Sequence, residues 1–209
     1  MIVEPGDGKV NSDIARYLTK IQQGHGLLKC LGYHDIPSMP YLVFEVPEEL
    51  GNPSTLRGTM GKTPISTDEP GGGHALESRF RLAHQISESV LSVHATGFVH
   101  KNIRPETILL IRRLPNTSPI SMHSLAGVRP YLTYWTMMRK ENGLSNGGLG
   151  IIRVQDSWEK DIYRHPHRQG TELQERYNIG HDIYSLGVCL LEIGLWEPLT
   201  ATTRVFIHD

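Results

Sequence analysis

The chain has 209 residues, 38% of them hydrophobic and 21% charged, which is enough for one large domain or two small ones. Its 21 basic and 22 acidic residues leave a formal charge of -1, so nothing electrostatic points to nucleic acid or an anionic membrane as partner. Cys30 and Cys189 are the two cysteines, which excludes a disulfide framework, argues against structural zinc and favours a reducing compartment. No apolar stretch reaches the roughly 18 to 20 residues that a membrane span needs, and residues 1 to 6 lack a signal-peptide profile, so the expected location is cytoplasmic.

Residues 12 to 22 begin with an N-cap type and place Ile14, Tyr17, Leu18 and Ile21 at helical spacing, which predicts a short amphipathic helix. Two apolar runs, 27 to 33 and 41 to 46, flank a turn at Pro37 to Pro40 and predict a hairpin. Residues 51 to 75 are rich in proline and glycine with little periodicity, which marks a linker. From 75 to 95, Leu76, Phe80, Ala83, Ile86, Val90 and Val93 recur every three or four positions, predicting about five turns of helix with Phe80, Ala83, Ile86 and Val90 in the core. Gly97 ends it. Short apolar runs at 98 to 100 and 108 to 111 flank a polar loop, and 114 to 157 reads as irregular, with a glycine-rich patch at 143 to 150. Residues 182 to 196 are apolar nearly all round, the mark of a helix buried within a lobe.

Several motifs carry less than they first suggest. Gly61-Lys62-Thr63 looks like the end of a phosphate-binding loop, but the first glycine that spacing requires is Leu56, and Pro64 breaks the helix that should follow. Eleven histidines invite a metal reading, yet His165-Pro166-His167 holds two rings apart on a rigid residue and no HExxH spacing occurs, so no metal site is expected. There is no GxSxG elbow. Asn116-Thr117-Ser118 fits a glycosylation sequon by chance in a chain without a secretory signal.

The informative stretch is His100-Lys101-Asn102-Ile103-Arg104-Pro105-Glu106-Thr107-Ile108-Leu109-Leu110, directly after the long helix. It resembles the catalytic loop of protein kinases, whose pattern H-R-D-L-x-x-x-N supplies an aspartate that accepts the substrate hydroxyl's proton and an asparagine that binds magnesium. In that comparison Asn102 stands at the aspartate position, Thr107 at the asparagine position, and Arg104 where many kinases carry lysine. An amide cannot take up a proton near neutral pH, and threonine has a shorter reach to a metal.

Other landmarks follow in the order that the resemblance implies. Residues 41 to 46 are similar to the strand entering the hinge that binds adenine, which makes Glu45 and Val46 the candidate cofactor-binding residues. Ser124-Leu125-Ala126-Gly127-Val128 falls where D-F-G is expected, with Leu125 in place of the metal-binding aspartate and Gly127 as the glycine. Tyr163-Arg164-His165-Pro166-His167 sits at the A-P-E landmark and keeps Pro166 alone. Gly180-His181-Asp182-Ile183-Tyr184-Ser185-Leu186-Gly187-Val188 resembles the start of the buried central helix, whose aspartate braces the catalytic loop, so Asp182, like His100 and Pro166, is expected to be structural. Met1-Ile2-Val3-Glu4 would put Glu4 at the position of the phosphate-binding lysine. The wording of these motifs is similar to that of kinase-like proteins numerous in filamentous fungi.

The implied fold class is α+β, a two-lobed kinase-like fold truncated at both ends: a partial β-rich small lobe over 1 to 50, a linker over 51 to 75, and a partial, mainly helical large lobe over 76 to 209. The large lobe would hold the catalytic-loop remnant 100 to 110, an activation-segment-like region 125 to 167 and the central helix 182 to 196. The implied function is that of a pseudokinase, catalytically impaired or inactive, serving as a signalling or interaction module with protein partners and needing no cofactor. Two alternatives stand beside it. An active ATP-dependent kinase would require ATP and magnesium, with Glu106 or Asp156 taking over metal binding. An incomplete fragment would have no independent function and would expose an apolar flank of the helix at 182 to 196.

Overall fold

The computed structural model describes residues 1–5, 10–20, 26–34, 40–60, 74–114, 125–141, 158–169 and 176–202. The phosphate-loop-like Gly61-Lys62-Thr63, the sequon at 116 to 118, the glycine-rich patch at 143 to 150 and Asp156 lie outside the described residues. The class is mixed α and β, with small antiparallel sheets and several helices, compatible with a partial kinase-like fold.

Strand β1 (Ile2–Pro5), helix α1 (Val10–Leu18) and strands β2 (Lys29–His34) and β3 (Tyr41–Glu45) form the first unit. β3 lies centrally, antiparallel to both neighbours, with Glu4 opposite Leu42 and Cys30 opposite Phe44. Leu42, Val43 and Phe44 are all buried, so the middle strand is covered on both faces and its apolar run need not alternate. α1 presents Ile14, Ala15 and Leu18 to this sheet, the spacing of one helical face.

Strand β4 (Leu50–Thr55) and helix α2 (Leu56–Met60) take up the first part of the stretch expected as a linker over 51 to 75, of which 61 to 73 lie outside the described residues. β4 pairs with β6 (Ile108–Arg113), which pairs in turn with β7 (Val128–Leu132). Pro53 and Gly51 make this stretch look like a connector, but the register shifts between Gly51 and Ser54, where Asn52 takes a positive φ of 52°, and this irregularity lets a proline sit in an edge strand. Leu56 and Met60, both buried, then close α2 onto the core.

Helix α3 (Leu76–His94) is the long amphipathic helix that the periodicity predicts, but its buried stripe is Leu82, Ile86, Val90 and Val93, joined by Arg79 and Ser89. Phe80 is 66% exposed, which corrects its assignment to the core. The Arg79 guanidinium donates to the Gly194 carbonyl at 2.5 Å, and burying that arginine rotates Phe80 outward. A short pair, β5 (Phe98–Val99) with β8 (Arg139–Lys140), frames the next loop. Residues 158 to 169 hold helix α4 (Trp158–Asp161) and a 3-10 turn, Pro166–Arg168.

Helix α5 (Ile179–Leu195), followed by α6 (Leu199–Thr202), packs on α3. α5 is less enclosed than its composition predicts: Ile183, Leu191 and Leu195 are each more than half exposed, while the polar Asp182, Ser185 and Glu192 face inward beside Leu186, Cys189 and Ile193. Its buried side carries the polar anchors, and its solvent side carries aliphatic residues. A contiguous core runs from Ile14 to Trp196 and joins the first sheet to the second half. Gly26 helps to make the join, because its carbonyl accepts the Leu132 amide at 3.0 Å and its φ of 72° suits glycine. A Cβ there would meet the Ser89 hydroxyl at 1.9 Å.

Candidate functional site

The loop from His100 to Thr107 is the best-anchored irregular segment of the described chain. Lys101 adopts a left-handed φ of 67°, which turns two successive amides toward Asp182. The His100 amide donates to Asp182 Oδ2 at 2.7 Å and the Lys101 amide to Oδ1 at 2.9 Å. His94 Nε2 lies 3.0 Å from Oδ2, and the Tyr177 hydroxyl donates to Oδ1 at 2.6 Å. Burial alone would push this fully enclosed carboxyl up, but the bonds from His94, Tyr177 and the loop amide, with the nearby His100 ring, hold it below its ordinary value. Asp182 sits one turn into α5, where the helix's positive end also favours an anion. His100 is buried edge-on to Trp135, with ring centroids 4.8 Å apart, and burial lowers its pKa to about 4.

The far end of the loop closes on itself. Pro105 opens a 3-10 turn, Pro105–Thr107, suited to its fixed φ. The buried Thr107 hydroxyl lies 2.6 Å from the Asn102 carbonyl and 3.0 Å from that of Arg104, and accepts the Arg104 amide at 3.2 Å. The Thr107 carbonyl receives both the amide and the hydroxyl of Thr133, at 3.0 and 2.9 Å. Thr133 follows β7, so the segment brought against the loop is Thr133-Tyr134-Trp135.

Leu125 and Gly127 are not brought there. They lie in a turn that leads into β7, beyond the Arg112–Val128 pair, whereas the loop joins the β6–β7 pair beside Ile108 and Leu132. Four residues of strand separate the two ends, roughly 14 Å. Glu45 ends β3 with its carboxylate 2.7 Å from Lys29 Nζ, and Val46 is half-buried just after it. Pro166 opens its 3-10 turn on the surface, where His165 Nδ1 accepts the His167 amide and the His165 ring packs edge-on to His181 and Tyr184. Among the described residues, no three His, Cys, Asp or Glu side chains are grouped to hold a metal ion.

Two charged groups, one of them marked in the sequence only by its alignment, take parts that sequence reasoning did not identify. Glu4, 4% exposed in β1, reaches across to the Tyr134 and Trp135 amides, accepting at 2.8 and 3.1 Å through Oε2. It caps the 3-10 turn Trp135–Met137 from another strand, since Tyr134 at that turn's N-cap is left-handed and makes no side-chain bond of its own. Burial raises Glu4 to about 7 despite those two bonds, and its Oε1 has no hydrogen-bond partner. Arg57 of α2 is the second. Its Nε donates to Glu106 Oε1 at 2.9 Å and its terminal nitrogens reach Glu192 Oε1 at 3.1 Å and the Tyr163 hydroxyl. Glu192, fully buried, also accepts the Tyr163 hydroxyl at 2.8 Å and the Leu199 amide at 2.8 Å. A glutamate inside an apolar helix was a usable signal for a buried ion pair; nothing local singles out Arg57.

Between the loop and residues 160 to 168 lies an open groove of about 280 Å³, lined on one side by Lys101, Asn102 and Arg104 and on the other by Lys160, Arg164 and Arg168.

No family model matches the chain. It is 22% identical over 134 residues to the eIF-2-alpha kinase GCN2 of Mus musculus, which covers 61% of this chain and 8% of that protein. It is 25% identical over 126 residues to the sporulation protein kinase mde3 of Schizosaccharomyces pombe (strain 972), covering 59% of this chain and 19% of that protein. The chain thus spans less than a fifth of the length of either relative, and over about three fifths of its own length it is distantly similar to protein kinases.

Proposed function

We propose that the chain is a fungal-type kinase-like domain with impaired or absent phosphoryl transfer, working in the cytoplasm as a protein-interaction module. One observation carries this reading: the loop held by Asp182 presents an amide, Asn102, and a hydroxyl, Thr107, that is already closed onto the loop's own carbonyls. Magnesium takes hard oxygen donors, usually carboxylates and phosphates, and the side chains here do not suit it. Thr107 is committed to backbone, the Thr133–Trp135 segment against the loop brings no carboxylate, and Glu106 is paired with Arg57. Glu4, at the position where the resemblance puts a phosphate-binding lysine, would repel a nucleotide's phosphates when ionised.

The test is thermal unfolding with and without millimolar Mg²⁺-ATP, together with transfer of labelled phosphate to a generic protein substrate. A nucleotide present at 100 times its Kd stabilises by about 2.7 kcal/mol, a shift of several degrees. The expected result is no magnesium-dependent shift and no transfer; a clear shift with transfer would overturn the reading.

A further inference from the structure

We infer that Glu4 is a proton-operated latch on the candidate loop: protonated, its carboxyl seats segment 133–137 against loop 100–107, and on ionisation it lets that segment move. The inference rests on the reading of this loop as a protein-facing surface and adds how that surface is regulated. Glu4 comes from β1, an edge strand that pairs on one side with β3. Its Oε2 accepts the Tyr134 and Trp135 amides at 2.8 and 3.1 Å, and these bonds cap a 3-10 turn that has no side-chain cap of its own. The same short segment touches both ends of the loop. Thr133 donates its amide and its hydroxyl to the Thr107 carbonyl at 3.0 and 2.9 Å, and the Trp135 ring lies edge-on to His100 with centroids 4.8 Å apart. Residues 133 to 135 therefore carry the loop on one side and are held by Glu4 on the other.

The backbone between those two holds has somewhere else to go. Tyr134, at φ 64° and ψ 57°, occupies the left-handed region, which a tyrosine keeps only where its neighbours impose it. Withdrawing the Glu4 bonds removes one of the constraints. Glu4 is 4% exposed and its Oε1 has no hydrogen-bond partner, and an unpaired neutral hydroxyl costs far less in such a place than an unpaired charged oxygen. Burial raises Glu4 to about 7 although both amides lower it, so a buried charge arises above neutral pH and is relieved by turning the carboxylate toward water. The elements around it do not compete for the role. β3 faces it with the apolar Leu42 and Phe44, and Asp13 and Arg16 of α1 pair with each other on the exposed side of that helix. Burial raises the Tyr17 hydroxyl of α1 to about 12 and pushes the Cys30 thiol of β2 up, with Glu4's charge adding to it, while burial lowers His100 to about 4. None of these three changes charge near pH 7.

Nuclear magnetic resonance of the isotope-labelled full chain, followed from about pH 5.5 to 8.5, tests this. The Glu4 carboxyl carbon is expected to titrate with a midpoint near 7, and the amides of Thr133 and Thr107 to follow with the same midpoint. Glu4→Gln keeps an acceptor for the two amides and is expected to abolish that transition at Thr133 and Thr107; titrations present in both proteins belong to other groups. Thr133→Val removes one of the two bonds to the Thr107 carbonyl and is expected to reduce the Thr107 response by at least half while Glu4 still titrates near 7. A Glu4 midpoint in the ordinary carboxylate range, Thr133 and Thr107 amides that ignore the Glu4 titration, the same transition in Glu4→Gln, or an undiminished Thr107 response in Thr133→Val would each overturn the inference. Labelled-phosphate transfer is scored separately. A chain that transfers phosphate and shows the shared titration refutes impaired catalysis and keeps the latch, whereas an inactive chain whose Thr107 ignores Glu4 does the reverse.

Discussion

Glu4 and His100 are both buried polar residues whose folded-state pKa values are moved by burial, and they move in opposite senses. Glu4 rises from 4.5 to about 7, so between those values the folded chain holds a proton that the unfolded chain has released; stability is greatest below 4.5 and is lost as pH rises through 7. His100 falls from 6.5 to about 4, so its contribution is present above 6.5 and is lost as pH falls through 4. Each shift of about 2.5 units is worth roughly 3 kcal/mol, and between pH 4.5 and 6.5 the two slopes oppose one another. The Glu4→Gln variant keeps an acceptor for the Tyr134 and Trp135 amides and removes one titration. Urea unfolding is therefore expected to give a shallow pH dependence for the wild type in this window. The variant should lose about 3 kcal/mol on acidification from 6.5 to 4 and should be about 3 kcal/mol more stable than wild type at pH 8. Parallel curves for the two proteins would refute the assignment. Sequence marks Glu4 only through its alignment with a lysine; its burial depends on β1 pairing with β3 and on a segment 130 residues away, which no local pattern encodes.

Helices α1 and α3 are legible because an apolar face repeats at the helical period, and α5 and the β2–β3 pair because they contain apolar runs of helix and strand length. β4 and β7 are not, because Pro53 and Pro130 sit within them and their burial comes from neighbours brought together by the fold. For the same reason residues 114 to 157 read as wholly irregular, while 128 to 132 form a strand whose end stands against the candidate loop. Phe80 shows how periodicity errs within a correctly predicted helix. Six apolar residues matched the helical period, yet Arg79 and Ser89 share the buried face and Phe80 faces solvent. Two truncations on α3 read this directly. Ile86→Ala, at 1% exposure, is expected to cost about 2 to 4 kcal/mol in urea unfolding, whereas Phe80→Ala should change stability by no more than about 0.5 kcal/mol. A large loss for Phe80→Ala would mean that this face of α3 is covered in solution.

At the scale of the molecule, Arg57 ties three separate parts of the chain together. It extends from α2, pairs with Glu106 at the end of the candidate loop, and reaches Glu192 inside α5 and the Tyr163 hydroxyl from the 158–169 segment. Glu192 is fully enclosed, and its remaining donors, Tyr163 and the Leu199 amide, are neutral, so Arg57 is its counter-charge. Removing one member of a buried ion pair leaves an uncompensated charge and costs about 3 to 5 kcal/mol, whereas removing both is far milder. Arg57→Met keeps the aliphatic length that packs α2 and is expected to destabilise by that amount. Adding Glu192→Gln should recover at least half of the loss, the non-additivity that a direct pair produces. Because the buried residues form one contiguous core from Ile14 to Trp196, far-UV circular dichroism and fluorescence from the buried Trp135 and Trp196 should report the same transition in wild type and variants. Additive losses would show that Arg57 and Glu192 act independently, and separated transitions would show that the first sheet unfolds apart from α5. If the pair couples as argued, the same tie that stabilises the fold also fixes α2 against the loop, which keeps Glu106 oriented toward Arg57 and away from the groove that Lys101 and Arg104 line.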